Sequence, residues 1–379
     1  MTSLLEHRAR GSKVAFVAGA NGISGSAIID HLVKQPDSEC PIKSICTDPR
    51  VRFVAIDFLR PVEEIVEQIR DLCKNVTHAF FTSYVHDNDF SVLHVKNGPL
   101  FRNFLEATDL ACPVLKRVVL QTGAKVRASP SKHNQSDNCQ HYGFQYRDLN
   151  TPPRRNTWNY NIIRPWGIIG FSWQCEKIPK APDSHWTNKS LTDLGINETL
   201  PIAQYFLICR ELGQSPKWPG TLESWNRVES QSYAPGIADL TIWAATHDQC
   251  KDEAFNHVNS DVIVWKHLWH LLAEYFKAPM ADFEAPTEET KSIDLAEWAK
   301  DKKSTWEKIV ARSGGDAEAF QLDAFALMNW YITPSLQKGP FPGTSGKARD
   351  LGWQRSDDTY RAWLGTMRAY ENAGVLPMS

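Results

Sequence analysis

Gly19-Ala20-Asn21-Gly22-Ile23-Ser24-Gly25 places three glycines at intervals of three residues. Glycines so spaced let backbone come close to a pyrophosphate. A helix that starts inside the turn offers it unpaired N–H groups. The flanks supply the rest: Val14–Ala18 reads as a strand buried on both faces, and Ser26–Leu32 carries Ile28, Ile29 and Leu32 at helical spacing. The glycine pattern alone is a weak signal, but the order strand, turn, helix makes it a dinucleotide-binding candidate. Asp48 lies 23 residues beyond Gly25, near the spacing of an acid that hydrogen-bonds a dinucleotide ribose. Arg50 carries a guanidinium suited to phosphate, although Asp48-Pro49-Arg50-Val51 also reads as a simple lead into the next strand. Eight cysteines stand at 40, 46, 73, 112, 139, 175, 209 and 250, with no C-x-x-C pair and no Cys/His cluster at zinc-ligand spacing. They read as reduced thiols of a cytoplasmic protein, and no metal site is expected.

The elements that must hold this turn alternate along the first half. Ile42–Cys46, Arg52–Ile56, Thr77–Thr82, Lys116–Gln121 and Asn159–Ile163 read as further strands, with helices over Val62–Leu72 and Phe90–Ala107 between them. Strands separated by helices predict an α/β fold with a Rossmann-type, doubly wound parallel sheet, whose ligands sit beyond the carboxyl ends of the strands. Past Ser172 the chain changes character. Trp173–Leu200 is polar with Pro179 and Pro182 and reads as a long lid-like loop. The remainder is mostly helical in pattern, over Ile202–Leu212, Gly236–His247, Val264–Phe276, Leu295–Arg312, Phe320–Tyr331 and Thr359–Ala373. Most of its tryptophans are expected in the core, a minority lining an apolar pocket. The expected division is 1–172 for the dinucleotide-binding part, 173–200 for the lid and 201–379 for a mostly helical substrate-binding part that shares the core.

Charge and hydropathy narrow the function. The 379 residues carry 42 Lys+Arg against 44 Asp+Glu, a net charge of −2, so no nucleic-acid partner is expected. Apolar residues make up 42%, enough for a sizeable core. Mean hydropathy is −0.40, no apolar run is long enough to span a bilayer, and the polar start Met1–Lys13 shows no signal peptide. The oligomeric state stays open, a homodimer included.

Longer motifs carry a resemblance. Leu120-Gln121-Thr122-Gly123-Ala124-Lys125, Arg164-Pro165-Trp166-Gly167-Ile168-Ile169-Gly170-Phe171-Ser172, Ala79-Phe80-Phe81-Thr82-Ser83-Tyr84, Glu253-Ala254-Phe255-Asn256-His257-Val258 and Val264-Trp265-Lys266-His267 join the glycine turn and Asp57-Phe58. On these the chain resembles the progesterone 5β-reductase/iridoid synthase group of atypical extended short-chain dehydrogenases, and particularly its fungal members, over nearly its whole length. The resemblance implies NADPH-dependent reduction of an activated double bond. It places the cofactor on Gly19, Asn21, Gly22, Ile23 and Gly25, with adenine near Asp57 and Phe58. Thr82, Ser83, Thr122, Lys125, Pro165 and Ile168 complete the set, the last three near the nicotinamide. No Y-x-x-x-K occurs in the chain, which fits the atypical group. Its catalytic lysine falls on Lys125. The tyrosine falls on Tyr142 by an ungapped count back from Arg164-Pro165, with Tyr146 one helical turn away as the alternative.

Departures from the family pattern surround the expected cofactor and substrate. The Ser-Arg that grips the 2′-phosphate is missing, leaving NADP(H), NAD(H) or a lost cofactor open. Val126-Arg127 replaces the usual His-Tyr, Pro152-Pro153 interrupts the helix after Tyr142, and the loop after Ser172 is long. Three functions therefore stand side by side. The first is a reductase of an enone-type C=C or C=O in an apolar small molecule of secondary metabolism. The second is a non-redox cyclase or isomerase that polarises a substrate carbonyl, and the third a binding protein.

Overall fold

The computed structural model describes residues 13–34, 48–85, 92–123, 157–172, 198–332 and 340–379. Its centre is a five-stranded parallel sheet. Strand β1 (Ala15–Ala18) lies beside β2 (His78–Phe81), followed by β3 (Arg117–Gln121), β4 (Asn159–Pro165) and β8 (Glu253–His257). Register runs without a break, from Ala18 opposite Phe81 to Pro165 opposite His257. Such strands are buried on both faces, and β2 has every residue buried. One face is covered by α2 (Val62–Cys73) and α3 (Leu93–Ala111), through Ile65, Ile69, Phe101 and Phe104. The other face carries α1 (Ile23–Val33) and α6 (Ala234–Thr246), through Ile28, Ile237, Leu240 and Ala244. These are the two helical layers expected of a doubly wound sheet.

Two expected strands come out differently. Ile42–Cys46 lies outside the described residues. Arg52–Ile56 joins no ladder: residues 51–57 are irregular backbone. The reason is packing. Val51 and Phe53 rest against Ile29 and Val33, whereas Ile56 and Phe58 turn to the opposite cluster under α2 and α3. Hydrophobic residues that look strand-like here serve two cores in succession. Conversely β8, which closes the sheet, was not among the expected strands.

The second half adds short strands and helices above the carboxyl edge. Small sheets pair β5 (Gly167–Ile169) with β7 (Gln231–Tyr233) and β6 (Val228–Glu229) with β9 (Ile263–Val264). Around them stand α4 (Thr199–Glu211), α5 (Leu222–Asn226), α7 (Trp265–Tyr275), α8 (Leu295–Ala299), α9 (Lys303–Ser313), α10 (Leu322–Ile332), α11 (Gly346–Asp350) and α12 (Thr359–Asn372). The single helix expected over Leu295–Arg312 is two, separated at residues 300–302. Trp218 sits at the middle of their core, its ring centroid 5.3 Å from Trp225, 5.4 Å from Trp265 and 5.0 Å from Trp269. Trp265 in turn lies 5.8 Å from Trp363. Most tryptophans of this half are thus core residues, as expected. Among the described residues no helix is long and apolar enough to cross a membrane.

Candidate functional site

The glycine turn follows directly from β1. Gly19 has φ +80°, a conformation that glycine adopts without steric cost. A Cβ there would lie 2.8 Å from the Ser83 backbone nitrogen and 2.9 Å from Thr82 Oγ1. Thr82 is held in place by its hydroxyl, which donates to the Ala18 carbonyl at 2.8 Å. Gly22 N–H donates to the Gly19 carbonyl at 3.0 Å, closing the turn, and α1 then starts at Ile23 with no side chain capping it. Its first-turn N–H groups have no intrahelical acceptor, which leaves them and the positive end of the helix dipole for an anion. At Gly25 a Cβ would stand 2.1 Å from the Gly19 carbonyl oxygen. Only glycine fits there, because turn and helix pass in contact.

Three other segments close on this turn. At the end of β3, Gln121 Nε2 donates to Ser24 Oγ at 2.7 Å and so ties the helix start to the sheet. Gln121 Oε1 and Thr122 Oγ1 are shielded from solvent and have no hydrogen-bond partner. At the end of β4, the motif beginning Arg164-Pro165 leads to Gly170, where an added Cβ would overlap Ala234 at 2.6 Å and lie 3.5 Å from the Ile23 side chain. Ser232 supports the same loop: its hydroxyl accepts from Trp166 N–H at 2.9 Å and donates to the His257 carbonyl at 2.6 Å. His257 itself is fully buried, and burial, outweighing the backbone hydrogen bond at Gly236, pulls its pKa down to about 3, so it is neutral.

Gly19, Gly22, Ile23, Gly25, Thr82, Ser83, Thr122 and Pro165 therefore gather at the carboxyl edge of the sheet. Asn21 is exposed on the turn, and Ile168 is part of β5. Asp57 Oδ1 accepts from Leu59 N–H at 2.9 Å, and the Phe58 ring is buried 5.4 Å from Phe104. Phe58 spends its ring on the core. Lys125, Tyr142 and Tyr146 lie outside the described residues, as does the expected lid over 173–197. The last residues of that lid are not loop: Thr199 and Leu200 begin α4 and are buried.

Asp48 and Arg50 lie at the other end of α1 from the glycine turn. Arg50 Nη2 donates to the Val33 carbonyl at 2.9 Å, at the carboxyl end of α1, and is paired with Asp48 at 2.7 Å. The hydrogen bonds from Arg50 hold the Asp48 carboxyl below its usual range. Eleven residues of helix, about 16 Å at 1.5 Å each, separate that pair from the glycine turn. The spacing that suggested a ribose-binding acid marks a helix end. Missed from sequence were the roles of Ser24, Gln121 and Ser232. Gln121 stood in a quoted motif, but nothing local reveals its reach to Ser24, 97 residues away. Among the described residues no group of three or more His, Cys, Asp or Glu could hold a metal ion.

Residues 15–147 match the PRISE-like Rossmann-fold domain. A short chain dehydrogenase from Penicillium aethiopicum, gsfE, is 36% identical, over 96% of this chain and 99% of that protein. The chain belongs to the PRISE-like short-chain dehydrogenases. Within this oxidoreductase family, a 3-oxo-Δ4,5-steroid 5β-reductase from Arabidopsis thaliana is 26% identical, over 94% of this chain and 92% of its own. Among solved structures, Bordetella bronchiseptica WbmH in complex with NAD+ aligns with a TM-score of 0.59, 13% identity and coverage of 96% and 100%. That last likeness is one of fold.

Proposed function

We propose that this PRISE-like dehydrogenase is an NAD(P)H-dependent reductase of an activated C=C or C=O, enone-type, in an apolar small molecule of secondary metabolism. The observation that carries this is the meeting of the glycine turn with the LQTG and RPWGIIGFS segments, the first joined to it by the Gln121–Ser24 hydrogen bond and the second leading to Gly170, where an added Cβ would face Ile23. The residues present fit a dinucleotide: Gly19 and Gly25 let the turn pack directly on the end of β2 and on α1, α1 is uncapped, and Thr122 Oγ1 lacks a partner. Gly19–Gly25 and the α1 start would hold the pyrophosphate, with Thr82, Ser83, Thr122, Pro165 and Ile168 along the rest. WbmH, of the same fold, is a complex with NAD+, and the Arabidopsis relative's name describes reduction of a 3-oxo-Δ4,5 system, an enone.

A reduced nicotinamide, when bound, supplies the hydride. The chain must supply orientation and a home for negative charge. As the β-carbon of an enone accepts hydride, charge gathers on the carbonyl oxygen. In this reading the Lys125 ammonium and the Tyr142 hydroxyl donate to that oxygen, Tyr146 standing in if the register is shifted. Segment 173–197 covers the substrate and excludes water. Calorimetric titration with NADH and NADPH, followed by turnover on cyclic and acyclic enones, tests the proposal. Binding of either dinucleotide with its oxidation on an enone supports it. Binding without oxidation, with the substrate cyclised or isomerised instead, replaces it by non-redox chemistry, and binding of neither overturns it.

A further inference from the structure

The amino edge of the sheet, opposite the glycine turn, holds two cysteines in matching positions. Cys73 is the last residue of α2, and Cys112 follows the last residue of α3. Both helices then turn into adjacent parallel strands by the same hydrogen bond: Val76 N–H to the Cys73 carbonyl at 2.9 Å, and Leu115 N–H to the Cys112 carbonyl at 3.1 Å. The strands pair with His78 opposite Arg117, so each cysteine stands five residues upstream of a register partner. Parallel strands run about 4.8 Å apart. Two turns closed by the same hydrogen bond on two such strands make Cys73 and Cys112 neighbours at the amino edge, and a disulfide needs their Cα atoms about 4.4–6.8 Å apart. The two thiols also act on each other, a hydrogen bond from Cys112 being the first cause of the lowered pKa of Cys73. Both are buried in one apolar cluster.

We propose that Cys73 and Cys112 form a dithiol that hydrogen peroxide oxidises to a disulfide, stapling α2 to α3. The bond from Cys112 holds the Cys73 thiol below its ordinary pKa, which favours the thiolate as first nucleophile. The Cys73 thiolate attacks one peroxide oxygen and the O–O bond breaks, giving a Cys73 sulfenic acid and hydroxide, which takes up a proton to become water. The Cys112 thiol then attacks the sulfenic sulfur. The S–S bond forms, the S–O bond breaks, and a second water leaves. Two thiols are oxidised and one peroxide is reduced. Access comes through the turns, where Lys74, Asn75, Pro113 and Val114 are exposed, so fraying of one helix end uncovers a sulfur. The staple closes a loop containing β2 and α3, which constrains the unfolded chain. It is independent of the proposed reaction.

The test treats the reduced full-length protein with hydrogen peroxide, blocks remaining thiols with N-ethylmaleimide and maps a non-reducing tryptic digest by mass spectrometry. The expected product is Asp71–Lys74 joined to Asn103–Lys116, lighter than the two peptides by two hydrogens. The melting temperature should rise by several degrees and fall back on adding dithiothreitol. In Cys112→Ser, Cys73 should stop at the sulfenic acid and be trapped by dimedone; if that variant does not fold, the wild-type digest decides alone. Maleimide on both cysteines, over-oxidation of Cys73 in the wild type, or pairing of either with a third cysteine overturns the proposal.

Discussion

The two edges of the parallel sheet treat polar atoms in opposite ways. At the carboxyl edge, α1 starts without a cap, and Gln121 Oε1 and Thr122 Oγ1 are shielded and unmatched. At the amino edge, polar side chains are spent on one another. Buried Arg117 donates to Asn161 Oδ1 at 2.7 Å and to the Ala244 carbonyl at 3.1 Å, where α6 ends. Asp252 receives Asn159 Nδ2 at 2.7 Å and Tyr160 N–H at 3.0 Å. Thr77 Oγ1 lies 2.8 Å from His78 Nδ1. Arg117 Nε and Thr108 Oγ1, the latter in the last turn of α3, break the pattern there. Unmatched polar atoms are costly unless a ligand or water completes them. The lesson is that one edge is left incomplete for a ligand while the other is completed for stability, so substitutions at the two edges should separate binding from folding.

The largest effect should come from Gly25→Ala. The added methyl meets Gly19 backbone at 2.1 Å, and neither turn nor helix can yield without distorting the proposed phosphate site. Dinucleotide affinity by calorimetry should fall roughly a hundredfold or more, about 2.8 kcal/mol. Unchanged affinity would break the comparison at its upper edge. Arg117→Leu probes the other edge. It leaves Asn161 Oδ1 and the Ala244 carbonyl without a donor, so urea unfolding should show a loss of about 1–3 kcal/mol, with kcat and KM unmoved. A kinetic defect at unchanged stability would show that the amino edge has a role in turnover.

Acid should attack the amino edge too. Burial first, then the charges of Lys13 and Arg117, pulls His78 down to about 4. The unfolded chain binds that proton near pH 6.5. A folded pKa below the unfolded one means that the stabilisation is whole above about pH 6.5 and is lost as pH falls through 4. His257, at about 3, extends the loss to lower pH. His78→Gln should flatten the slope of unfolding free energy between pH 6.5 and 4, and an unaltered slope would remove His78 from the account. The smallest effect is expected for Arg50→Ala. Its partner Asp48 and the Val33 carbonyl lie far from the glycine turn. The NADPH-to-NADH affinity ratio should stay within about twofold and stability within about 1 kcal/mol, as for an exposed ion pair.

Sequence made most of the upper edge visible, because its signals are local. Gly19, Gly22 and Gly25 stand within seven residues, and the strand and helix around them follow at once. What sequence hid was long-range. The alternation in Arg52–Ile56 arises from side chains packing into two different cores, a pattern indistinguishable from a ladder strand until the cores are seen. Glu253–His257 pairs with a strand some ninety residues earlier, and its Glu, Asn and His gave no strand signal. Within Leu295–Arg312, Ala299 and Trp306 keep helical spacing across residues 300–302, so the break left no trace in the periodicity. Arg50 failed for another reason: residue count from a glycine motif fixes contour length, not which end of a helix the chain has reached.

The tryptophan cluster around Trp218 has an optical consequence. Indoles with centroids 5.0–5.4 Å apart couple their transitions, so the near-ultraviolet circular dichroism of this protein should be dominated by exciton bands from its C-terminal half. Excitation will hop among Trp225, Trp265, Trp269 and Trp363 before emission. One coupled chromophore, rather than many independent ones, will therefore report how the helical half packs against the sheet.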